Sequence, residues 1–236
     1  MGGAAGSSDL VLRYAFDETS GSVVHDTSAG ASGPHDGALA TVGSGGSATF
    51  TTNKAVGTGA LALQGQRNSA GGYVTAPSLA ALAPKAVTLA VWINVPGGGA
   101  NQRAFDFGIG TNKYIFLTPN DGLNRVRFAI TANGRGGEQE IHASTWTMST
   151  PSWHHVAVVL PAGSSYSGTL YIDGVAAANN TAMSLHLSDL GETTGNYLGR
   201  SAFAADDYFS GALDDFRVYR RALSASEVAA LYGAHE

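Results

Sequence analysis

Apolar and polar residues alternate along most of this chain with a period of two. In Val87-Thr-Leu-Ala-Val-Trp-Ile-Asn-Val95, the residues Val87, Leu89, Val91, Ile93 and Val95 fall on one side. Phe105 and Phe107 alternate with Asp106 and Gly108, and Ile115 and Leu117 with Tyr114, Phe116 and Thr118. Val126, Phe128 and Ile130 alternate with Arg125 and Arg127. Such a period belongs to strands with one dry and one polar face. Shorter β-rich runs occur at 10–16, 60–63, 72–75, 153–160, 168–172, 197–199 and 211–219. Asp173-Gly174 supplies the residues that a two-residue hairpin turn with positive φ prefers. With about a dozen short strands and no alternation of strands with helices, the pattern predicts an antiparallel sandwich, jelly roll or barrel. One helix is specified, at the C-terminus. Ser224-Ala-Ser-Glu227 has the form of a capping box, with Leu223 and Val228 placed for a hydrophobic staple and Gly233 as a stop.

Composition sharpens this picture. Hydrophobic residues make up 44% of the 236, enough for a real core, which excludes general disorder. Charged residues are only 13%, about half the usual share, and glycines number 32. Long surface helices need more charge than this. The net charge of −5 and the absence of a Lys/Arg cluster argue against nucleic acid as a partner. No apolar run reaches the roughly 20 residues of a membrane helix. With no cysteine, there is no disulfide framework, thiolate zinc site or cysteine nucleophile. Residues 1–8 lack the basic and apolar regions of a signal peptide and read as a flexible leader or cloning remnant. Residues 9–236 read as one domain of a longer protein.

Several short motifs follow one another in an order that resembles the laminin-G-like jelly-roll domains of the concanavalin A-like lectin/glucanase superfamily. They are Tyr14-Ala-Phe-Asp-Glu-Thr-Ser-Gly21, Asp26-Thr-Ser-Ala-Gly30 and His35-Asp-Gly37, then Leu89-Ala-Val-Trp-Ile93, Trp153-His-His-Val-Ala157 and Leu170-Tyr-Ile-Asp-Gly174. Phe209-Ser-Gly-Ala-Leu-Asp-Asp-Phe-Arg-Val-Tyr219 and Arg221-Ala-Leu-Ser-Ala-Ser-Glu227 complete the set. The resemblance implies an all-β fold: a two-sheet antiparallel jelly-roll sandwich with one short C-terminal helix. It also implies a structural Ca²⁺ near the N-terminal loop, and a place beside secreted bacterial polysaccharide-degrading enzymes or adhesins. Because the fold hosts many functions, function has to be argued from a site.

Calcium takes six to eight oxygens. Asp26, in a Gly/Ser loop, and Asp214 and Asp215, on the closing strand, are the candidate ligands that would clip the two ends together; Asp17 and Asp36 are weaker ones. The competing reading has Asp214 capping loop amides or pairing with an arginine, and Asp26 making an Asx-turn.

Catalytic motifs are scarce. Glu138-Gln-Glu140 lacks the central Asp and third acid of the Glu-x-Asp-x-x-Glu strand found in laminarinase-type glycosidases. Glu140-Ile-His142 is similar to the Gln-Ile-His strand of alginate-lyase-type jelly rolls, without that family's partner strands. The residues Asp106, Tyr114, Phe116, Arg125, Arg127, Glu140 and His142 share the outward parity, with Trp146 just beyond. An aromatic ring beside planar guanidinium and carboxylate groups suits a sugar, so Arg127, Arg125, Asp106, Tyr114, His142 and Trp146 are the candidate glycan ligands. Tyr208 and Phe209, beside Asp206-Asp207, offer an alternative site at the rim. The expectation is a non-catalytic carbohydrate-binding module of a larger secreted, glycan-active protein. Its rivals are a structural or protein-interaction module and, behind that, a lyase or glycoside hydrolase.

Overall fold

The computed structural model describes residues 9–28, 34–80, 82–83, 85–97, 99–146, 148, 151–163 and 167–234. The leader expected at 1–8 and residues 29–33 of the Asp26–Gly37 loop lie outside the described residues.

Strand β7 (Val87–Asn94) is buried along its whole length, because both of its faces are covered. It runs between β16 (Gly211–Tyr219) and β12 (Trp153–Leu160), and β13 (Gly168–Ile172) and β14 (Val175–Asn180) follow outward. On its other edge β16 pairs first with β5 (Ala60–Gln66), which carries β4 (Ser47–Thr51), and then with β1 (Leu10–Tyr14). The change of partner coincides with a register shift between Asp214 and Arg217, where Asp215 adopts a φ of 47°. The second sheet has the order β11 (Gln139–Ala143), β10 (Val126–Thr131), β9 (Lys113–Thr118), β8 (Phe105–Ile109), β15 (Gly195–Leu198), β6 (Ala70–Thr75), β3 (Gly37–Val42) and β2 (Val23–Val24). The β5–β6 hairpin links the two sheets.

The core lies between the two inner faces, as the alternation predicts. Val87, Leu89, Val91 and Ile93 of the first sheet face Phe105, Phe107, Ile115, Leu117, Phe128 and Ile130 of the second within one cluster. Phe216 of β16 stacks on Phe107 at 6.0 Å and tilts against Phe105 at 5.9 Å, joining the sheets through aromatic contact. Burial of this kind contributes about 25 cal/mol per Å² of apolar surface.

The outer face of the first sheet is closed by α2 (Ala225–Gly233). Val228 and Leu223 pack on Ala90, Ala157, Tyr171 and Tyr219, and Trp92 stacks on Tyr232 with centroids 5.6 Å apart. The capping box forms as read: the Glu227 amide donates to Ser224 Oγ (3.3 Å) and the Ser224 amide donates to Glu227 Oε2 (2.8 Å). Asp173 (φ 50°) and Gly174 (φ 77°) make the expected tight turn between β13 and β14. A four-residue helix α1 (Leu187–Leu190) sits on the long connection into β15. Among the described residues, no helix is long and apolar enough to cross a membrane.

Candidate functional site

Among the described residues, no helix covers the outer face of the second sheet. Outward residues of β10 and β11 stand at the edge of an open depression of about 440 Å³, lined in part by Asp121, Arg125, Arg127, Glu138, Glu140 and His142. Arg127 is the hub, since its Nη2 donates to both Glu138 Oε2 and Glu140 Oε1. His142 Nε2 lies 2.6 Å from Glu140 Oε2. Arg125 donates through Nε to Asp121 Oδ2 at 2.8 Å. Burial works against ionisation of Glu140, yet hydrogen bonds from Glu138, His142 and Arg127 hold it down to about 2. Burial and the neighbouring Glu140 move Glu138 the other way. The two acids titrate as a pair, so one is held ionised and the other resists ionisation.

A narrow slot of about 60 Å³ opens beside the depression, shares Asn101, Arg127, Arg135 and Glu138 with it, and adds Arg103, Phe203 and Asp206. Arg103 is almost fully buried. Its guanidinium stacks 3.8 Å over the Phe116 ring, donates from Nη2 to Asp206 Oδ2 (2.8 Å), and stands 3.8 Å from Asp106 Oδ2 through Nε.

Of the six candidate glycan ligands, Arg125, Arg127 and His142 line the depression. Asp106 and Tyr114 share the face but lie beneath it, both with no exposed surface. Asp106 accepts the Ala202 amide (3.0 Å) from the loop folded across the face, and burial raises its carboxyl to about 6. Tyr114 is stacked on Phe116, met edge-on by Phe203, and donates to Glu138 Oε1 at 2.6 Å. Its ring therefore supports the site from below and cannot meet a sugar. Trp146 is a correction of a different kind. It packs edge-on against His154, 5.8 Å away, and against the main core, outside the depression.

Sequence parity missed Arg103, because strict alternation gives it the parity of Phe105. The chain breaks alternation there, and both Ala104 and Phe105 enter the core. Glu138, Asp121 and Phe203 sit on loops or strand ends, where no period exists to read. The rim alternative divides: Phe209 is a fully buried core residue, whereas Tyr208 lies at the surface. Tyr208 tilts against Tyr73 of β6 at 6.4 Å, and Tyr73 meets Tyr197 of β15 edge-on at 5.6 Å. Its seat is a glycine pair. Gly65 and Gly71 face each other across β5 and β6, and a Cβ on either would come within 2.5 Å of Tyr208.

The acidic residues proposed for calcium are engaged by N–H donors. Asp26 Oδ1 accepts the amides of Arg13 (3.0 Å) and Ser28 (2.9 Å), and its Oδ2 accepts that of His35 (3.1 Å). Asp215 takes the guanidinium of Arg13 on Oδ1 (2.8 Å) and that of Arg217 on Oδ2 (2.6 Å). Asp214 Oδ2 accepts the amides of Ala55 and Val56, which leaves only its buried Oδ1 without a partner. Asp17 caps the amides of Thr58 and Gly59, and Asp36 accepts that of Asp26. Protein N–H donors thus take most of these carboxylate oxygens, and an ion here would have to displace them. Among the described residues, no group of three or more His, Cys, Asp or Glu is arranged to hold a metal. The two chain ends are still joined, through β1 on β16 and through Arg13.

The fold and these sites can be set beside known proteins. The family described as the concanavalin A-like lectin/glucanases superfamily matches residues 68–229. The chain belongs to this superfamily. The concanavalin A-like domain is similar to domain 4 of AbnA, an extracellular GH43 arabinanase from Geobacillus stearothermophilus solved with arabinotriose. The TM-score is 0.73 at 19% identity, covering 95% of this chain and 98% of that one. It is similar also to the CBM40 of the Ruminococcus gnavus IT-sialidase bound to α2,3-sialyllactose, with a TM-score of 0.54, 16% identity and coverage of 63% and 83%. In sequence, it is 29% identical over 131 residues to an α-L-arabinofuranosidase of Bifidobacterium longum subsp. longum, a match spanning 52% of this chain and 11% of that protein.

Proposed function

We propose that this domain is a non-catalytic carbohydrate-binding module that holds a neutral, polyhydroxylated glycan in the depression on the outer face of the second sheet. The observation that carries this reading is the pairing of its charges. Arg125 stands with Asp121, and Arg127 with Glu138 and Glu140, so the lining presents fixed donors directly beside fixed acceptors. A sugar hydroxyl donates and accepts at once, and neighbouring hydroxyls match such paired groups without needing a net charge. Two relatives are named for arabinose-containing substrates, which supports arabinan as the first probe.

The catalytic rival would use the Glu138–Glu140 pair, whose pKa values are pushed apart. Both carboxylates, however, contact the same Arg127 nitrogen, which fills the space between them where a glycosidic oxygen would have to sit. An apolar interaction module finds little support, because the exposed large hydrophobics Val23, Val42, Ile109, Leu123 and Val175 are scattered single residues.

In a larger secreted protein the module would hold a catalytic partner close to its polysaccharide and raise the effective concentration. Affinity electrophoresis in gels containing arabinan tests the reading. The wild-type domain should be retarded, Arg127→Ala should lose about tenfold in affinity while keeping its melting temperature within a few degrees, and no reducing ends should be released. Unaltered retardation of Arg127→Ala would place binding elsewhere.

A further inference from the structure

On the same outer face, beyond the loop that carries Phe203 and Asp206, lies a second depression of about 140 Å³. Asn68, Arg200, Phe203, Asp206 and Tyr208 contribute to its lining. Arg200 leaves β15 directly after Gly199, and its guanidinium rests against the edge-to-face pair Tyr73 and Tyr197, 4.8 and 4.7 Å from their ring centroids. Contact with both rings holds the guanidinium in place by cation–π attraction. Arg200 differs from Arg125 and Arg127 of the first depression, which are neutralised by Asp121, Glu138 and Glu140, and from Arg103, which is paired with Asp206. Among the described residues it makes no ion pair with a carboxylate. Asp206, the acid in the lining, is held through Oδ2 by Arg103 Nη2 (2.8 Å) and Ser201 Oγ (2.7 Å).

We propose that Arg200, Tyr73, Tyr197 and Tyr208 form a second subsite that binds a sugar through its carboxylate. A carboxylate approaching Arg125 or Arg127 in the first depression would have to displace a protein carboxylate already bound to that guanidinium. At Arg200 it meets a preoriented fork with nothing to displace, and two parallel N–H···O bonds follow from the planar geometry. Tyr208, held in place by Gly65 and Gly71, presents a half-exposed ring for the apolar face of the same sugar. This subsite extends the glycan-binding reading to acidic sugars and is independent of the first depression.

The test is calorimetric titration at low ionic strength with trigalacturonate, glucuronic acid and α2,3-sialyllactose, each against its methyl ester. At least one free acid should bind the wild-type domain about tenfold more tightly than its ester. Arg200→Gln should erase that difference, and Arg200→Lys, which keeps the charge but loses the fork, should erase most of it. Arg127→Ala should preserve it. Equal affinity for acid and ester throughout the panel, no binding of any acid, or a preference that survives Arg200→Gln in a domain that melts like the wild type overturns the proposal. If Arg127→Ala leaves arabinan retardation intact while the acid preference still depends on Arg200, the first reading fails and this one stands.

Discussion

At the scale of single residues, the buried carboxylates divide by what they are given. Asp26 receives three amides, and although burial works against ionisation, those donors hold its pKa below the usual carboxylate value. Asp26→Ala leaves three N–H groups seeking partners, so it should lose about 2–3 kcal/mol in denaturant unfolding. Asp36→Ala, at a more exposed carboxylate, should lose less than half of that. Asp214 goes the other way: burial and its neighbour Asp215 raise it to about 7 against two amides that favour the charge. Its native state holds a proton more tightly than the unfolded chain does. The stabilisation is therefore complete below the unfolded pKa near 4 and is lost as pH rises toward 7. Wild-type melting temperature should fall relative to that of Asp214→Asn between pH 5 and pH 8. A constant difference would exclude Asp214 as the titrating group. Parity identified Asp214 as inward-pointing; it could not say whether a metal or a pair of amides would meet it, because Ala55 and Val56 arrive from a loop far away in sequence.

At the scale of elements, legibility follows how strictly one face is buried. β7, β8, β9 and β10 were readable because each has an unbroken apolar face against the core, so the period of two is written in full. β3 and β4 were not, since Gly37-Ala-Leu-Ala-Thr-Val42 and Ser47-Ala-Thr-Phe-Thr51 are half-exposed along most of their length and carry small residues that suit either environment. The helix α2 was legible from its cap alone. Ser224→Ala should lower stability by about 1 kcal/mol, measured as a shift in the denaturation midpoint. The glycine pair under Tyr208 gave no advance signal, because a close approach of backbone to a ring depends on where β5 and β6 meet. Gly71→Ala should displace Tyr208 and weaken binding of acidic sugars while leaving the Arg127 depression intact, a split that titration of both ligand types would resolve.

Across the whole molecule, the two ends are held by strand pairing and arginine–carboxylate contacts. Addition of a calcium chelator should accordingly leave the melting temperature unchanged. A drop of several degrees would show that a cation displaces those donors and binds at the Asp26–Asp215 end of the sandwich. The two outer faces also have different fates. One is sealed by α2 and by the stacking of Trp92 on Tyr232; the other is partly roofed by the loop that follows β15, which buries Asp106 and leaves depressions on either side of Phe203 and Asp206.

From the residue order alone came most of the strands, their inner and outer faces, the hairpin at Asp173-Gly174 and the closing helix, because each follows from periods and caps that act within a few residues. Only the tertiary structure decided which outward side chains reach solvent. It buried Tyr114 and Asp106, turned Trp146 onto His154, brought Arg103 under Arg127 and left Arg200 resting against a pair of tyrosines. The reason is physical: alternation along a strand is a local property, whereas covering a face requires loops and helices from distant parts of the chain, and these have no period of their own.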